Sequence, residues 1–130
     1  MRYLTEPVDV AELTQERQQA GDEVHVIRAR RTLDKSLAKF AAVLHFPDYF
    51  GSNLDALMDC LRDVDSVDGR PVVLIWDRTW KLEAEDPHAY QQILEVLSDL
   101  ERERPDLRTI VIRRPDSGDA EVRQARENEA

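Results

Sequence analysis

The feature that most constrains the fold is a nearly continuous apolar run, Pro71–Trp76 (PVVLIW). A strand with one solvated face alternates apolar and polar residues, whereas strands buried deep in parallel sheets are rich in uninterrupted Val, Ile and Leu. The run is short and is bounded by charged residues, which also favours a strand. It therefore predicts the most deeply buried strand of the protein.

The segments around this run predict an alternation of strands and helices. The order is strand, two helices, strand, helix, strand, which favours parallel pairing through right-handed crossovers. We therefore predict an α/β fold of two layers, a three-stranded parallel sheet with the helices packed on one face. Outside Pro71–Trp76, the predicted strands are Glu23–Ala29 and Leu107–Ile112, and the predicted helices lie in Leu33–Leu44, Asn53–Leu61 and His88–Glu103.

The two ends of the chain differ from this alternating region. Residues 1–22 are predicted to be an N-terminal extension with one helix, Val10–Ala20, which Asp9 can cap. Residues 114–130 are polar and predict a flexible tail. The alternating region, residues 23–113, is therefore the expected domain.

The charge of the chain limits its partners. Its 130 residues suit one domain and carry a formal net charge of −9. The segment Asp48–Arg70 is strongly acidic, with six Asp against two Arg. Such a surface repels nucleic acid and anionic membranes and favours a basic protein partner.

The cellular setting is predicted from cysteine and hydropathy. Cys60 is the single cysteine, so no intrachain disulfide can form, and this suits a reducing compartment. No signal segment and no apolar run of membrane-spanning length is evident in the sequence. We expect a cytoplasmic protein that is a monomer before it binds a partner.

The most informative local motif is Phe46–Leu61 (FPDYFGSNLDALMDCL), an aromatic turn that leads into a short helix. Gly51 suits the positive φ that tight turns often need, and Ser52 or Asn53 can cap the helix. An apolar stripe at i, i+3, i+4 and i+7 would face the core. Its members are Leu54, Leu57, Met58 and Leu61.

Three acids, Asp55, Asp59 and Asp63, fall at i, i+4 and i+8 on a neighbouring flank of this helix. Like charges at this spacing repel by about 0.2–0.5 kcal/mol per pair, so helix stability alone does not select them. Asp55 is explained in part by the helix dipole, which favours an acid in the first turn. Asp59 has no such explanation: taken singly it marks a solvated face, but the aromatic side chains of Tyr49 and Phe50 beside it favour a recognition surface.

The motif resembles the signature of the barstar family, intracellular inhibitors of barnase-type ribonucleases. The shared features are the Pro-acid-aromatic-aromatic-Gly turn and the Asn-Leu-Asp-Ala-Leu-x-Asp-Cys-Leu helix, and the likeness extends over Glu23–Arg113. The resemblance implies a compact α/β domain with a three-stranded parallel sheet. It also implies a protein that binds a basic ribonuclease and blocks its active site.

The resemblance further implies roles for individual residues. Asp59 would occupy the pocket that normally holds an RNA phosphate and would accept charge-assisted hydrogen bonds there. Asp55 would contact a second cation, Tyr49 would pack on an active-site side chain, and Asn53 would cap the helix and touch the partner. Asp99, on the long helix, aligns with an acidic contact at the rim of the interface.

Several positions depart from the family pattern. Met58 and Val64 stand where barstar has tryptophans, and Asp63 replaces a glycine. Asp99 is shorter than the usual glutamate. Met58 and Asp63 remain candidate contacts, and because methionine adapts to different surfaces, the partner is either a different ribonuclease or another basic protein.

A different class of function is a small hydrolase that uses Asp55 and Asp59 as an acid/base pair. The sequence has no Gly-rich phosphate loop, no metal-ligand spacing and no recognisable Ser-His-Asp order near these acids. We therefore predict that the protein is not an enzyme and has no catalytic residue, metal ligand or cofactor.

Overall fold

The computed structural model describes residues 1–48 and 50–115. These residues form a single sheet of four strands: β1 (Arg2–Thr5), β2 (Glu23–Arg28), β3 (Val72–Asp77) and β4 (Leu107–Arg113). They also form five helices: α1 (Val10–Gln19), α2 (Leu33–Leu44), α3 (Leu54–Arg62), α4 (Trp80–Glu85) and α5 (Pro87–Glu103). None of these helices is long and apolar enough to cross a membrane.

All strands of the sheet are parallel, and their spatial order is β1-β4-β3-β2. The predicted strands β2, β3 and β4 are present, but the prediction of only three strands is wrong. The fourth strand, β1, belongs to the N-terminal segment and pairs along the outer edge of β4, with Tyr3 beside Val111. Short edge strands have one unpaired side and little apolar patterning, so β1 had no clear sequence signal.

The central strand β3 is buried at every position from Val72 to Asp77. Its side chains alternate between two apolar clusters on opposite faces of the sheet. On the larger face, Trp76 lies against Phe40 of α2 and Tyr90 of α5, with ring centroids 5.9 and 5.6 Å apart. The apolar run therefore indicated this strand correctly.

The helices do not all lie on one face, which corrects the predicted two-layer arrangement. Residues of α2, α3, α4 and α5 share the cluster of Trp76, whereas Leu13 of α1 packs with Val73 and Ile75 on the opposite face. The reason is the direction of the chain: it crosses from β1 to β2 in the direction opposite to the steps β2 to β3 to β4. Right-handed connections that run in opposite directions place their helices on opposite faces.

Side chains that accept hydrogen bonds from free backbone N–H groups set the starts of four helices. Asp9 caps α1, as predicted, and Asn53 caps α3 by accepting from the Ala56 N–H at 2.8 Å. Thr32 and Asp86 do the same for α2 and α5. The short helix α4 had not been predicted, and most of the predicted tail, residues 116–130, lies outside the described residues.

We predict that Leu13→Ala lowers the free energy of unfolding by about 2–4 kcal/mol, because it removes a buried side chain and leaves a cavity against β3. Urea unfolding measures this change. Gln18→Ala on the exposed part of α1 is the matched control, with an expected change within about 0.5 kcal/mol. Equal effects of the two substitutions would show that α1 does not pack on the sheet.

Candidate functional site

Helix α3 is held in place by one buried side and leaves its other side in solvent. Leu57 and Leu61 are fully buried, while Leu54 and Met58 are half-buried against the same core. Side chains at this spacing share one face of a helix, so the predicted stripe is confirmed. The burial fixes the rotation of α3 about its own axis and therefore the direction in which its acids point.

The structure places Asp55, Asp59 and Asp63 on the exposed side of α3. Asp55 lies in the first turn, and Asp63 is the C-cap residue whose N–H donates to the carbonyls of Cys60 and Leu61. The side chain of Asp59 is 73% exposed. The acid flank is thus a solvent-facing ridge on a helix that is fixed by its opposite side.

The turn before α3 packs through its aromatic residues. Phe46 and Phe50 lie edge to face, with ring centroids 5.1 Å apart, and both are half-buried against the core. Tyr49, a predicted contact, lies outside the described residues. The left-handed conformation that was expected at Gly51 falls instead on Ser52, which has a φ of 51°.

Two further predicted contact residues, Met58 and Asp99, differ in how they are placed. Met58 is part of the apolar stripe, so only part of its side chain is available to a partner. Asp99 is exposed on α5, the helix that packs against α3, and forms an ion pair with Arg102 one turn further along. Asp99 also lies one turn before Glu103, which reaches α3 directly.

A bidentate ion pair joins α5 to α3. Arg62 donates from Nε to one oxygen of Glu103 at 2.8 Å and from Nη2 to the other oxygen at 3.1 Å. Its third nitrogen, Nη1, donates to Oδ1 of Asp59 at 3.0 Å. The central acid of the ridge is therefore paired with a cation of its own helix.

A second contact secures the C-terminal end of α3. The guanidinium of Arg104, at the end of α5, donates to the backbone carbonyls of Leu61 and Arg62, each at 3.3 Å, and to that of Val64. The last carbonyls of a helix lack partners within the helix and carry partial negative charge, so a cation stabilises them. The side chain of Arg104 is only 13% exposed. Sequence reasoning missed Arg62, Glu103 and Arg104, because their pairing depends on how two helices pack.

A groove of about 640 Å³ runs along the acid flank, between α3 and the end of α2. Cys60 lines it, and the pKa of the Cys60 thiol is raised by burial and by the nearby charges of Asp63 and Asp59. A raised pKa disfavours the thiolate, which is the reactive form, so no chemistry is assigned to this cysteine. His25 and His45 also line the groove, but no cluster of three potential metal ligands exists among residues 1–48 and 50–115.

The arrangement gives no support to the hydrolase alternative. An acid/base pair needs two carboxyl groups in environments that separate their pKa values. Asp59 instead stands open to water, and its described partner is a guanidinium rather than a second carboxyl group. The geometry suits the recognition of a cation.

We predict that Arg104→Gln lowers the free energy of unfolding by about 1–3 kcal/mol, because three carbonyls lose a charged donor. Urea unfolding is again the measurement. Arg102→Gln removes an equal charge from a neighbouring exposed arginine of α5 and should change stability by less than about 0.5 kcal/mol. Equal losses in the two variants would contradict the role of Arg104.

We also predict that the pKa of Glu103 lies below its ordinary value of 4.5, since the hydrogen bonds and the charge of Arg62 lower it and outweigh the opposing effect of desolvation. A lowered pKa in the folded state means that the pair stabilises the fold above pH 4.5 and that this contribution is lost as the pH falls through the lower value. Carbon NMR of the carboxyl group during a pH titration measures this pKa. Arg62→Gln should raise it towards 4.5, while Arg70→Gln should leave it unchanged; a wild-type midpoint at or above 4.5 would contradict the prediction.

Comparison with known proteins identifies the family of the chain. The model of the family described as Barstar (barnase inhibitor) matches residues 23–113, which extend from the first residue of β2 to the last residue of β4. No curated protein shows significant similarity to the chain.

Proposed function

This chain belongs to the barstar family, and we propose that it binds a basic ribonuclease of the barnase type and blocks the active site with α3. The observation that carries this proposal is Asp59, an exposed carboxylate at the centre of an acidic ridge. The ridge stands on a helix whose opposite side is fully buried at Leu57 and Leu61. Its carboxylates are therefore presented at fixed positions.

The chemistry of the proposed partner explains why a carboxylate suits this role. A ribonuclease must hold the phosphates of RNA and does so with Arg, Lys and His side chains. A carboxylate accepts short, charge-assisted hydrogen bonds from the same groups. Asp59 would thus take the place of a phosphate and exclude the substrate from the cleft.

Other residues around α3 would extend the interface. Asp55 has no ion-pair partner among the described residues and is open to a second cation of the partner. Asn53 lies beside it at the helix start, and Asp63 extends the acid ridge at the other end. Tyr49, Met58 and Asp99 complete the proposed contact set.

The departures from the family pattern bear on which protein is bound. Met58 and Val64, at positions where barstar has tryptophans, are both half-buried against the core. Smaller or more flexible side chains at these positions change the shape of the surface next to Asp59 but leave its charge unchanged. We propose that they adapt the surface to a ribonuclease that differs from barnase.

The family is one of inhibitors, in keeping with a role that needs no catalytic group of its own. Inhibition of a secreted type of ribonuclease protects a cell only if the inhibitor is present where the enzyme is made. A cytoplasmic, reducing location is therefore part of the proposal, and the single thiol at Cys60 suits it.

We predict that Asp59→Asn weakens ribonuclease binding at least about 100-fold, because it leaves cations of the partner desolvated without their counter-charge. The assay is inhibition of RNA cleavage by barnase and by a panel of basic secreted ribonucleases of its type. Glu16→Gln, which removes one acid from α1 on the opposite face of the sheet, is the matched control and should bind like wild type. Association should also slow as salt is added, since screening weakens long-range attraction.

Two results would contradict the proposed function. One is tight binding of the ribonuclease by Asp59→Asn, which would place the contact elsewhere on the protein. The other is failure of the wild type to inhibit any ribonuclease of the panel, which would favour a different basic partner for the same ridge.

A further inference from the structure

We propose that Arg62 is a built-in competitor for the Asp59 carboxylate, held in position by Glu103, and that it sets how strongly and in what geometry a cation can bind there. The inference rests on the proposed function only in taking Asp59 as the contact point for a basic partner. Its physical basis is the contact network of the free protein. That network places a positive charge against the residue that a positive partner must reach.

The position of Arg62 is set by Glu103 rather than by Asp59. Glu103 accepts two of its N–H groups, at 2.8 and 3.1 Å, in a planar fork that fixes the guanidinium. The guanidinium then offers Nη1 to Oδ1 of Asp59 at 3.0 Å. Rotating Arg62 away from Asp59 would therefore disturb the contact with Glu103, which links two helices.

The consequence for Asp59 is that its two oxygens are no longer equivalent. Oδ1 accepts from Arg62, while Oδ2 has no partner among the residues that the structure describes. An incoming guanidinium of a partner can bind both oxygens of a free carboxylate side by side. At Asp59 Arg62 already occupies one acceptor site of Oδ1 and adds its own positive charge beside it, so the arrangement disfavours a second guanidinium on both oxygens and favours a partner that offers a single donor, such as a lysine ammonium, to Oδ2.

Arg62 also acts through its charge. It pairs with Asp59, the central acid of the ridge, whereas Asp55, one turn before Asp59, has no ion-pair partner in the described part of the chain. The attraction for a cation is therefore reduced most strongly at Asp59, the position with the leading role. Arg62 thus lowers the affinity for a cation mainly at the central contact and less at the outer contact.

The first test compares Arg62→Gln with Arg70→Gln. The two arginines are exposed to similar extents, 46% and 42%, and each pairs with two acids. Both variants remove one positive charge, so Arg70→Gln is a matched control. Arg62→Gln should raise the affinity for a ribonuclease that the wild type inhibits by about 2- to 5-fold, the size of an exposed ion pair. Arg70→Gln should give a clearly smaller gain.

A second test needs no ribonuclease. A cationic nitroxide in solution adds relaxation to nearby amide protons according to the local electrostatic potential, and a neutral nitroxide of the same size corrects for access. Arg62→Gln should increase the cationic effect at the amides around Asp59 by about 2-fold or more, and Arg70→Gln should not. In an Asp59→Asn background the increase should be smaller, because the carboxylate that Arg62 releases is no longer present. In a Glu103→Gln background it should be smaller, because Arg62 is no longer held against Asp59.

These results separate the inference from the proposed function. If Arg62→Gln changes neither affinity nor the nitroxide effect beyond the change in Arg70→Gln, the inference is wrong. It is also wrong if the nitroxide effect appears but a ribonuclease bound by the wild type gains no affinity for the variant. If the nitroxide effect appears and no ribonuclease binds either protein, competition at Asp59 stands and the proposed function fails.

Discussion

The complete burial of β3 is the constraint on which the rest of the structure depends. A parallel strand without a polar face must be covered on both sides, and its backbone must pair on both edges. β2 and β4 supply the edges, while α1 covers one face and the remaining four helices cover the other. The N-terminal segment therefore helps to bury β3. The position of α3 also follows from the burial of β3, because α3 is one of the helices that cover its other face.

Burial also explains why the acids of the ridge have a defined orientation. Leu57 and Leu61 contribute to the same cluster as Trp76, so rotating α3 would expose apolar surface, at about 25 cal/mol for each Å². Arg104 then holds the C-terminal end of the helix through backbone carbonyls. The position of each acid is thus set by core packing on one side and by the mostly buried guanidinium of Arg104 at the end.

The sequence predicts the parts of this arrangement that depend on local pattern. The apolar run of β3 and the stripe of α3 follow from spacing and residue type, and the same pattern limits the cap of α3 to Ser52 or Asn53. The strand β1 has only four residues and little apolar pattern, so it could be assigned only once β4 was seen to have an open edge. The contact between Arg62 and Glu103 spans 41 residues of sequence and depends on the packing of two helices, which no local pattern encodes.

The pairing of Asp59 reflects opposing demands on the ridge. Asp55 and Asp63 each lie four residues from Asp59, and repulsion at this spacing costs about 0.2–0.5 kcal/mol per pair. Arg62 offsets part of this repulsion in the free protein, and through Glu103 it also ties α3 to α5. The same cation reduces the attraction that a basic partner feels at Asp59. Removal of this cation would therefore favour binding at Asp59 but lower the stability of the unbound helix. Arg62 thus couples the affinity for a basic partner to the stability of α3.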